Sequence, residues 1–510
     1  MSEQLRQVLI LGGGSAGWLT AGLLAAEFKR KRVAVEVTVL ESPDVPTIGV
    51  GEGTWPTMRD TLRRIEVSES DFIRECDAAF KQGSKFVGWA RDDGADAYYH
   101  PFLLPHGFGD APLAAGWLAA ADDQPFAELV CPQPHICEAG LAPKQITTPE
   151  FAAVANYAYH LNAGKLGEFL RRHCVERLGV RHLRDHMLEI QSKDNGDVAA
   201  LVTREHGALV ADLFIDCSGT RSLLLGQHLA TPWVDASTVL FNDRAMAVQA
   251  AYPTPEAPIP CQTVSTAHDS GWIWDIALSS RRGIGVVYSS AHCSDEQAEI
   301  ELRRYVQRQL PDAEVSTTNR IAFAPGYRQR AFVGNCVAIG LAAGFVEPLE
   351  ASSLVLVELA ATALAEQWPN DRSEIDMLAR RFNEMFSYRW QRVIDFLKLH
   401  YLLSSRAASP YWREHREAAS VPESLAERMR WWHHHAPSRY DLGRVDEVFP
   451  SASYQYVLYG MGFRPCLPDA PGGAVDYFKQ NAALTRRLLA GLPQHRSLIE
   501  QIKARGLPTD

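Results

Sequence analysis

The chain of 510 residues has no cysteine pair at CxxC spacing and no apolar run that approaches the ~18 residues of a membrane helix. Its nine cysteines are an odd and scattered set, so we expect reduced core thiols rather than disulfides or a structural zinc site. Residues 1–7 are polar and lack the apolar region of a signal peptide. These absences predict a cytoplasmic protein with no membrane partner.

An excess of positive charge is also missing. The chain has 61 acidic and 51 basic residues, a net charge of -10, so it offers no basic surface for a polyanion and nucleic acid is not an expected partner. It has no internal repeat and no low-complexity segment, and 46% of it is apolar, as in ordinary globular proteins. At ~150 residues per domain its length predicts about three domains.

A dinucleotide fingerprint stands near the start of the chain. Residues 7–11 predict a strand, residues 18–29 predict a helix, and the sequence GGGSAG joins them. In such a turn the first glycine permits the bend, the second lets a pyrophosphate approach the backbone, and the third lets helix and strand pack closely. A second strand, 33–40, ends at Glu41, which is placed to accept ribose hydroxyls. The predicted cofactor contacts of the turn are Gly12, Gly14, Ser15, Ala16 and Gly17.

Two later turns extend this prediction. A strand over 208–217 runs into DCSGT, and the sequence NCVAIGLAAG at 335–344 predicts a strand and a glycine-rich turn before a helix that begins near Ala351. Three nucleotide-contacting turns are typical of a large FAD fold of the aromatic hydroxylase type. No second GxGxxG for a nicotinamide cofactor is visible, so reduced flavin would come from a partner flavin reductase.

We therefore predict an α/β protein with a Rossmann-like FAD-binding fold, an added sheet and a mainly helical C-terminal part. Residues 1–385 would form the FAD module, with the added sheet embedded at about 232–320. Residues 386–510 would form a helical region on the substrate side. Helical segments are also expected at 57–65, 69–80 and 162–178, and strands at 181–191 and 199–203.

Four further segments suggest a specific chemistry. They are IGVGE at 48–52, FK with KFV at 80–87, SGWIWDI at 270–276 and FVEPLE at 345–350. Taken alone, the two tryptophans could simply pack in a core. Together with the fingerprint, however, the segments resemble the flavin-dependent halogenases of the tryptophan halogenase family over nearly the whole chain. In that family the GWxWxI element distinguishes halogenases from related flavin hydroxylases.

The resemblance implies a reaction and two catalytic residues. Reduced flavin and O2 would form a flavin hydroperoxide, which a halide ion attacks to give hypohalous acid. Lys81 would bind this oxidant or become a haloamine and deliver halogen to an electron-rich ring. Glu350 would polarise the oxidant or take the proton from the ring. Lys85 is a second candidate on the same segment, and we prefer Lys81 because it directly follows the phenylalanine of the motif.

The same resemblance implies binding positions for flavin and halide. In the family the FxxPxE turn continues as Ser-Thr-Gly, whereas this chain has Ala351, Ser352 and Ser353. Backbone amides at a helix N-terminus attract an anion whatever the side chain, and the changed residues give the hypothesis of a preference for bromide over chloride. The implied additional cofactor contacts are Gly49, Met187, Leu341 and Leu354, and the implied halide contacts are Ser352 and Ser353.

Trp272 and Trp274 would separate flavin from substrate, so that the ring is halogenated rather than hydroxylated. His100 and Phe102 resemble the family pair that holds an indole, although His100 could also be a loop histidine satisfied by backbone. No carboxylate stands at the position near residue 444 that would bind the amine of free tryptophan, although acids follow at 446 and 447. An indole or phenol without the zwitterion, or a larger or peptide-borne aromatic, therefore fits better.

Several other features have simpler interpretations. The run 433–435 of three histidines is expected to be a solvated or packed helix end rather than a metal site. Three arginines, Arg380, Arg381 and Arg389, are expected on a charged helix face, while His400 could be core or pocket wall. The sequence is compatible with a homodimer. An FAD-dependent aromatic hydroxylase and a non-catalytic flavin-binding relative remain the alternatives.

Overall fold

The computed structural model describes residues 4–45, 51–92, 94, 96–120, 124–468 and 473–509. Residues 48–50 of the IGVGE motif, including the predicted cofactor contact Gly49, lie outside the described residues. The strands are β1 Gln7–Leu11, β2 Glu36–Glu41, β3 Gly51–Gly53, β4 Ala79–Lys81, β5 Gly83–Val87, β6 Ala97–Pro101, β7 Ala158–Asn162, β8 Arg181–Arg184, β9 Met187–Ser192, β10 Val198–Thr203, β11 Gly207–Val210, β12 Leu213–Asp216, β13 Trp233–Asp235, β14 Arg244–Ala251, β15 Thr263–His268, β16 Gly271–Ala277, β17 Arg281–Tyr288, β18 Asn319–Ala322, β19 Gly326–Arg328, β20 Phe332–Val333, β21 Cys336–Ala338 and β22 Gly344–Phe345.

The helices complete the element order. They are α1 Ser15–Lys31, α2 Thr57–Arg64, α3 Glu69–Glu75, α4 Leu113–Ala119, α5 Phe126–Val130, α6 Gln133–Glu138, α7 Ala163–Leu178, α8 Asp295–Gln309, α9 Ser352–Glu366, α10 Ile375–Leu402, α11 Pro410–Glu414, α12 Glu423–Trp432, α13 Ser451–Gly460, α14 Gly473–Gly491 and α15 His495–Arg505. In the described part of the chain no helix is both long and apolar enough to cross a membrane.

A six-stranded sheet organises the nucleotide-binding part. Its order is β20-β21-β12-β1-β2-β8, and all pairings except β20 with β21 are parallel. β1 lies between β2 and β12, so the order in which strands are added to the sheet changes direction at β1. At such a switch point the carboxyl ends of the neighbouring strands border one crevice. Helices α7 and α9 pack beside α1. The predicted FAD-type α/β fold therefore has its expected central sheet.

A seven-stranded sheet brings the motif residues together. Its order is β18-β14-β17-β16-β15-β5-β6, and β5 pairs parallel with β15 but antiparallel with β6. The sheet thus contains the tryptophan strand β16, and it also recruits β5 and β6, which come from outside the interval 232–320. Lys81 ends β4, a single residue separates it from the start of β5, and His100 lies on β6. This arrangement brings β5 and β6 into the same sheet as the tryptophan strand, with only β15 between β16 and β5.

Some predicted boundaries are wrong for local reasons. The helix expected over 69–80 ends at Glu75, because Asp77 adopts a left-handed conformation (φ 50°) and Ala79–Lys81 pairs with β7 as a strand. The strand expected from residue 33 begins at Glu36, after Arg32 closes α1 with φ 56°. The segments 181–191 and 208–217 each form two strands rather than one. All nine cysteines are free as expected, but Cys466 is exposed rather than in the core.

Candidate active site

The three glycine-rich turns meet at the crevice. A Cβ added at Gly12, where φ is 121°, would lie 2.2 Å from the Cys217 carbonyl oxygen, and one at Gly17 would lie 1.9 Å from the carbonyl oxygen of Gly12. A Cβ at Gly340 would approach Ala16 Cβ to 2.8 Å. Gly14 precedes α1, which Ser15 and Ala16 begin. The turns are therefore bare of side chains where they touch, which fits a dinucleotide that must approach the backbone closely.

The other predicted cofactor contacts lie around this crevice. Glu41 ends β2, and its carboxylate lies beside the turn, 2.8 Å from His182 Nε2. Met187 begins β9, two residues after Asp185, whose amide donates to the Glu41 carbonyl oxygen. Leu341 stands in the short turn after β21, and Leu354 in the first turn of α9. These positions suit the adenosine and flavin ends of FAD.

Lys81 is a buried lysine. Only 1% of it is exposed, and the described residues give its Nζ no hydrogen bond or ion pair. Nζ lies 5.3 Å from the centre of the Phe102 ring. A Cβ added at Gly53 would lie 3.2 Å from the same Nζ. Burial lowers the pKa of Lys81 to about 8 against the attraction of the Glu350 charge. The alternative candidate Lys85 instead forms an ion pair with Glu138 near the surface.

Glu350 is a buried carboxylate between two histidines. Its Oε1 lies 2.8 Å from His100 Nδ1 and 3.3 Å from His400 Nε2. The indole N–H of Trp55 donates to its backbone carbonyl oxygen at 2.8 Å. Burial alone would raise the pKa of Glu350, but His100 and then His400 lower it to about 2. Glu350 therefore stays ionised beside Lys81.

His100 and Phe102 lie in an aromatic cluster. The His100 ring is 5.7 Å from both Trp55 and Phe396 and 6.3 Å from Tyr456, while Phe102 is 5.2 Å from Trp55. His100 belongs to strand β6 and bonds to a side chain, so it is not a loop histidine satisfied by backbone. Its hydrogen bond to Glu350 leaves the family role of holding an indole as a prediction.

Trp272 and Trp274 point to the same face of β16, with ring centres 6.3 Å apart. Both are buried. The Trp272 ring lies 6.3 Å from Trp89, and its indole N–H donates to Glu347 Oε2 at 2.9 Å. The tryptophan motif is thus tied to the FVEPLE turn by a hydrogen bond.

The predicted halide position is the uncapped start of a buried helix. Ala351 adopts φ 53°, and α9 begins at Ser352 with no side-chain capping bond. Ser352 is buried and Ser353 is half-buried. The first amides of the helix therefore keep donors for an anion.

The acids near residue 446 are already paired. Arg389 is only 2% exposed, and its guanidinium donates to both the backbone carbonyl oxygen and the carboxylate of Asp446. The Tyr388 hydroxyl donates to Glu447. The expected charged face is therefore wrong for Arg389, which the helix α10 turns inward, although it holds for the exposed Arg380 and Arg381.

Sequence reasoning missed several residues of this site. Trp55 carries no motif signal of its own, and Glu347 was noted only as a letter of the FVEPLE element. His400, for which the sequence allows core or pocket wall, is fully buried, and its Nδ1 lies 2.5 Å from the Tyr98 hydroxyl oxygen. In the described residues no group of histidines, cysteines and acids could hold a metal, the histidine run 433–435 included.

Comparison with known proteins identifies the family. A family model described as Tryptophan halogenase matches residues 7–476. The chain belongs to the tryptophan halogenase family. It is 32% identical to the tryptophan 7-halogenase RebH of Lentzea aerocolonigenes, with 98% of each chain covered.

Solved structures agree with this assignment. A tryptophan halogenase of Shewanella frigidimarina NCIMB 400 is similar at 45% identity and a TM-score of 0.95, covering 100% of this chain and 99% of that one. BrvH, a flavin-dependent halogenase from Brevundimonas sp. BAL3, is similar at 31% identity and a TM-score of 0.85, with 98% and 99% covered. The predicted fold and the prediction of an enzyme of the flavin-dependent halogenase class are thereby confirmed.

Proposed function

We propose that the protein catalyses the FADH2-dependent halogenation of an electron-rich aromatic ring such as an indole, with bromide or chloride as the halide. The observation that carries this proposal is Lys81, a lysine enclosed in the protein with no hydrogen bond or ion pair from the described residues and with ionised Glu350 nearby. Structural lysines are rarely buried without a partner, because the charge loses its hydration. A lysine that reacts with an oxidant needs an amine that is shielded from water and not held by another side chain.

Bound reduced flavin, with O2, would supply the oxidising equivalent that turns halide into hypohalous acid. At pH 7 a lysine of pKa about 8 is mostly protonated and can donate a hydrogen bond to that acid. About a tenth of it is neutral and can accept halogen on nitrogen. Both roles that the family resemblance left open for Lys81 are thus chemically available.

Glu350 would act through its charge. A carboxylate of pKa about 2 is a weak base, so it suits the stabilisation of positive charge on the attacked ring better than permanent capture of the ring proton. His100, bonded to Glu350 at 2.8 Å, would hold that carboxylate in place. His100 and Phe102 would also line the slot for the aromatic substrate.

The substrate would be an aromatic without an amino acid zwitterion. Asp446 is already paired with Arg389, and Glu447 accepts from the Tyr388 hydroxyl, so an amine would have to compete with these partners. Several relatives are named as tryptophan 6- or 7-halogenases; in this chain the paired acids favour indole itself, a phenol or a larger aromatic.

The halide would lie at the amides of Ser352 and Ser353. Ser353 in place of glycine adds a side chain to this pocket, and bromide is easier both to desolvate and to oxidise than chloride. We therefore propose a preference for bromide. Equal rates of bromination and chlorination would contradict it.

The test is turnover with a separate flavin reductase, NADH, FAD, O2 and indole, in chloride or bromide, with products read by mass spectrometry. We expect a halogen isotope pattern that disappears in Lys81→Met while flavin oxidation continues. Lys85→Met, which removes the neighbouring surface lysine, is the matched control and keeps the product. An added oxygen instead of halogen would indicate the hydroxylase alternative and refute the proposal.

A further inference from the structure

A second buried carboxylate lies next to the catalytic one. Glu347 is 1% exposed, and its carboxylate accepts three hydrogen bonds. Trp272 Nε1 donates at 2.9 Å and the Tyr401 hydroxyl at 2.7 Å, and the Asn242 amide is the third donor. Tyr411 then donates to Asn242 Oδ1 at 3.1 Å. The family motif contains this glutamate, yet the proposed chemistry gives it no role.

The surroundings hold Glu347 in one place. Burial raises its pKa, and the three donors and the charge of Lys398 oppose that effect only in part. Lys398 is itself buried, and its ammonium donates to the Val239 carbonyl oxygen and to Ser420 Oγ. Three donors that converge on one carboxylate in a dry interior form a network with a single low-energy arrangement.

Only one member of this network belongs to the predicted wall between flavin and substrate. The indole N–H is the single polar atom of the Trp272 side chain. Its ring packs against those of Trp89 and Trp274, with both centre-to-centre distances 6.3 Å. Packing restricts such a ring, but a directed hydrogen bond to a fixed acceptor defines its rotation and tilt.

We propose that Glu347 is a positioning residue: its carboxylate, held by Asn242 and Tyr401, fixes the indole of Trp272 in the wall that directs the oxidant to Lys81. This inference rests on the proposed halogenation. Without Glu347, Trp272 keeps its packing but loses its anchor, so oxidant escapes or reacts elsewhere before it reaches the lysine. Flavin binding and flavin oxidation do not need the anchor.

The test measures halogenated product per flavin oxidised in Glu347→Ala, Trp272→Phe and the double variant. We expect each single variant to lose about tenfold in this ratio, with flavin oxidation within twofold of wild type. The double variant should be no worse than Trp272→Phe, because both changes remove the same bond. Glu347→Gln, which keeps an acceptor oxygen, should recover most of the yield. Glu358→Gln, at an equally buried glutamate bonded to Thr57 and Thr61, is the matched control and should not change it.

A second readout needs no turnover. In ¹⁵N-tryptophan-labelled protein, the indole N–H signal that disappears in Trp272→Phe should exchange slowly with D2O in wild type and at least tenfold faster in Glu347→Ala. If Glu347→Ala does not fold, Asn242→Ala leaves the carboxylate but removes a donor, and it should give a smaller loss in both readouts.

The outcomes separate the two proposals. Additive losses in the double variant, an unchanged yield in Glu347→Ala, or unchanged indole exchange would each overturn the anchor. A wild-type enzyme that oxidises flavin but makes no halogenated product would refute the proposed function and remove the role of the anchor in it, while indole exchange would still report the hydrogen bond itself.

Discussion

Replacement of Lys81 by methionine should stabilise the protein at neutral pH while it removes the activity. The lysine is 1% exposed, and its pKa lies at about 8 rather than 10.5, because burial penalises the ammonium more than Glu350 stabilises it. At about 1.4 kcal/mol per pH unit, this difference costs the folded state about 3 kcal/mol at pH 7. Methionine has nearly the same volume and no charge, so it should recover most of that free energy.

The pH dependence gives the sign of the effect. The unfolded chain holds this proton up to pH 10.5, whereas the folded protein releases it near pH 8. Wild type therefore gains stability as the pH rises through that window, and the advantage of Lys81→Met should shrink to about 1 to 2 kcal/mol at pH 9.5.

Urea unfolding followed by circular dichroism at pH 7 and pH 9.5 measures both values. Lys85→Met removes an exposed ion pair with Glu138 and should change stability by less than about 1 kcal/mol at either pH. The reasoning is refuted if Lys81→Met is less stable than wild type, or if its advantage does not depend on pH.

Three further substitutions test the cofactor turn, the strand that carries Lys81 and the pairing of Asp446. Gly17→Ala would put a Cβ 1.9 Å from the Gly12 carbonyl oxygen and should abolish retention of FAD on gel filtration, whereas Gly167→Ala, in a helix with open space, should keep it. His495→Ala removes the acceptor of the Phe80 amide at 3.0 Å, so the free energy of unfolding should fall by about 1 to 3 kcal/mol; no loss would mean that this bond is dispensable. Arg389→Met frees Asp446 and should lower the KM for tryptamine about threefold, while the KM for indole stays constant. Arg380→Met, at an exposed position, should leave both KM values unchanged.

The sequence predicted the parts of the site that carry a local pattern. The glycines of the fingerprint, the lysine after Phe80, the two tryptophans and the FVEPLE turn each have a spacing that a strand end or a helix start dictates. The structure places the glycines in the turn between β1 and α1, the lysine at the end of β4, the tryptophans on β16 and the FVEPLE turn just before α9.

Contacts between residues that are distant in the sequence could not be predicted from the sequence. His400 lies 50 residues from Glu350 and Tyr401 54 residues from Glu347, on a helix whose buried face looks like ordinary core. The inward turn of Arg389 was equally invisible, because its charge predicts exposure and only the acid at Asp446 makes burial tolerable. Helix prediction over 69–80 failed because strand pairing with β7 overrides local propensity at Ala79–Lys81.

The most direct test of the central claim is the mass spectrum of indole after turnover with bromide, O2 and enzymatically reduced flavin, in wild type and Lys81→Met. The account predicts a bromine isotope doublet in wild type and none in Lys81→Met, at similar rates of flavin oxidation. Bromoindole from the lysine-free variant at the wild-type rate, or hydroxyindole from either protein in place of bromoindole, would contradict it.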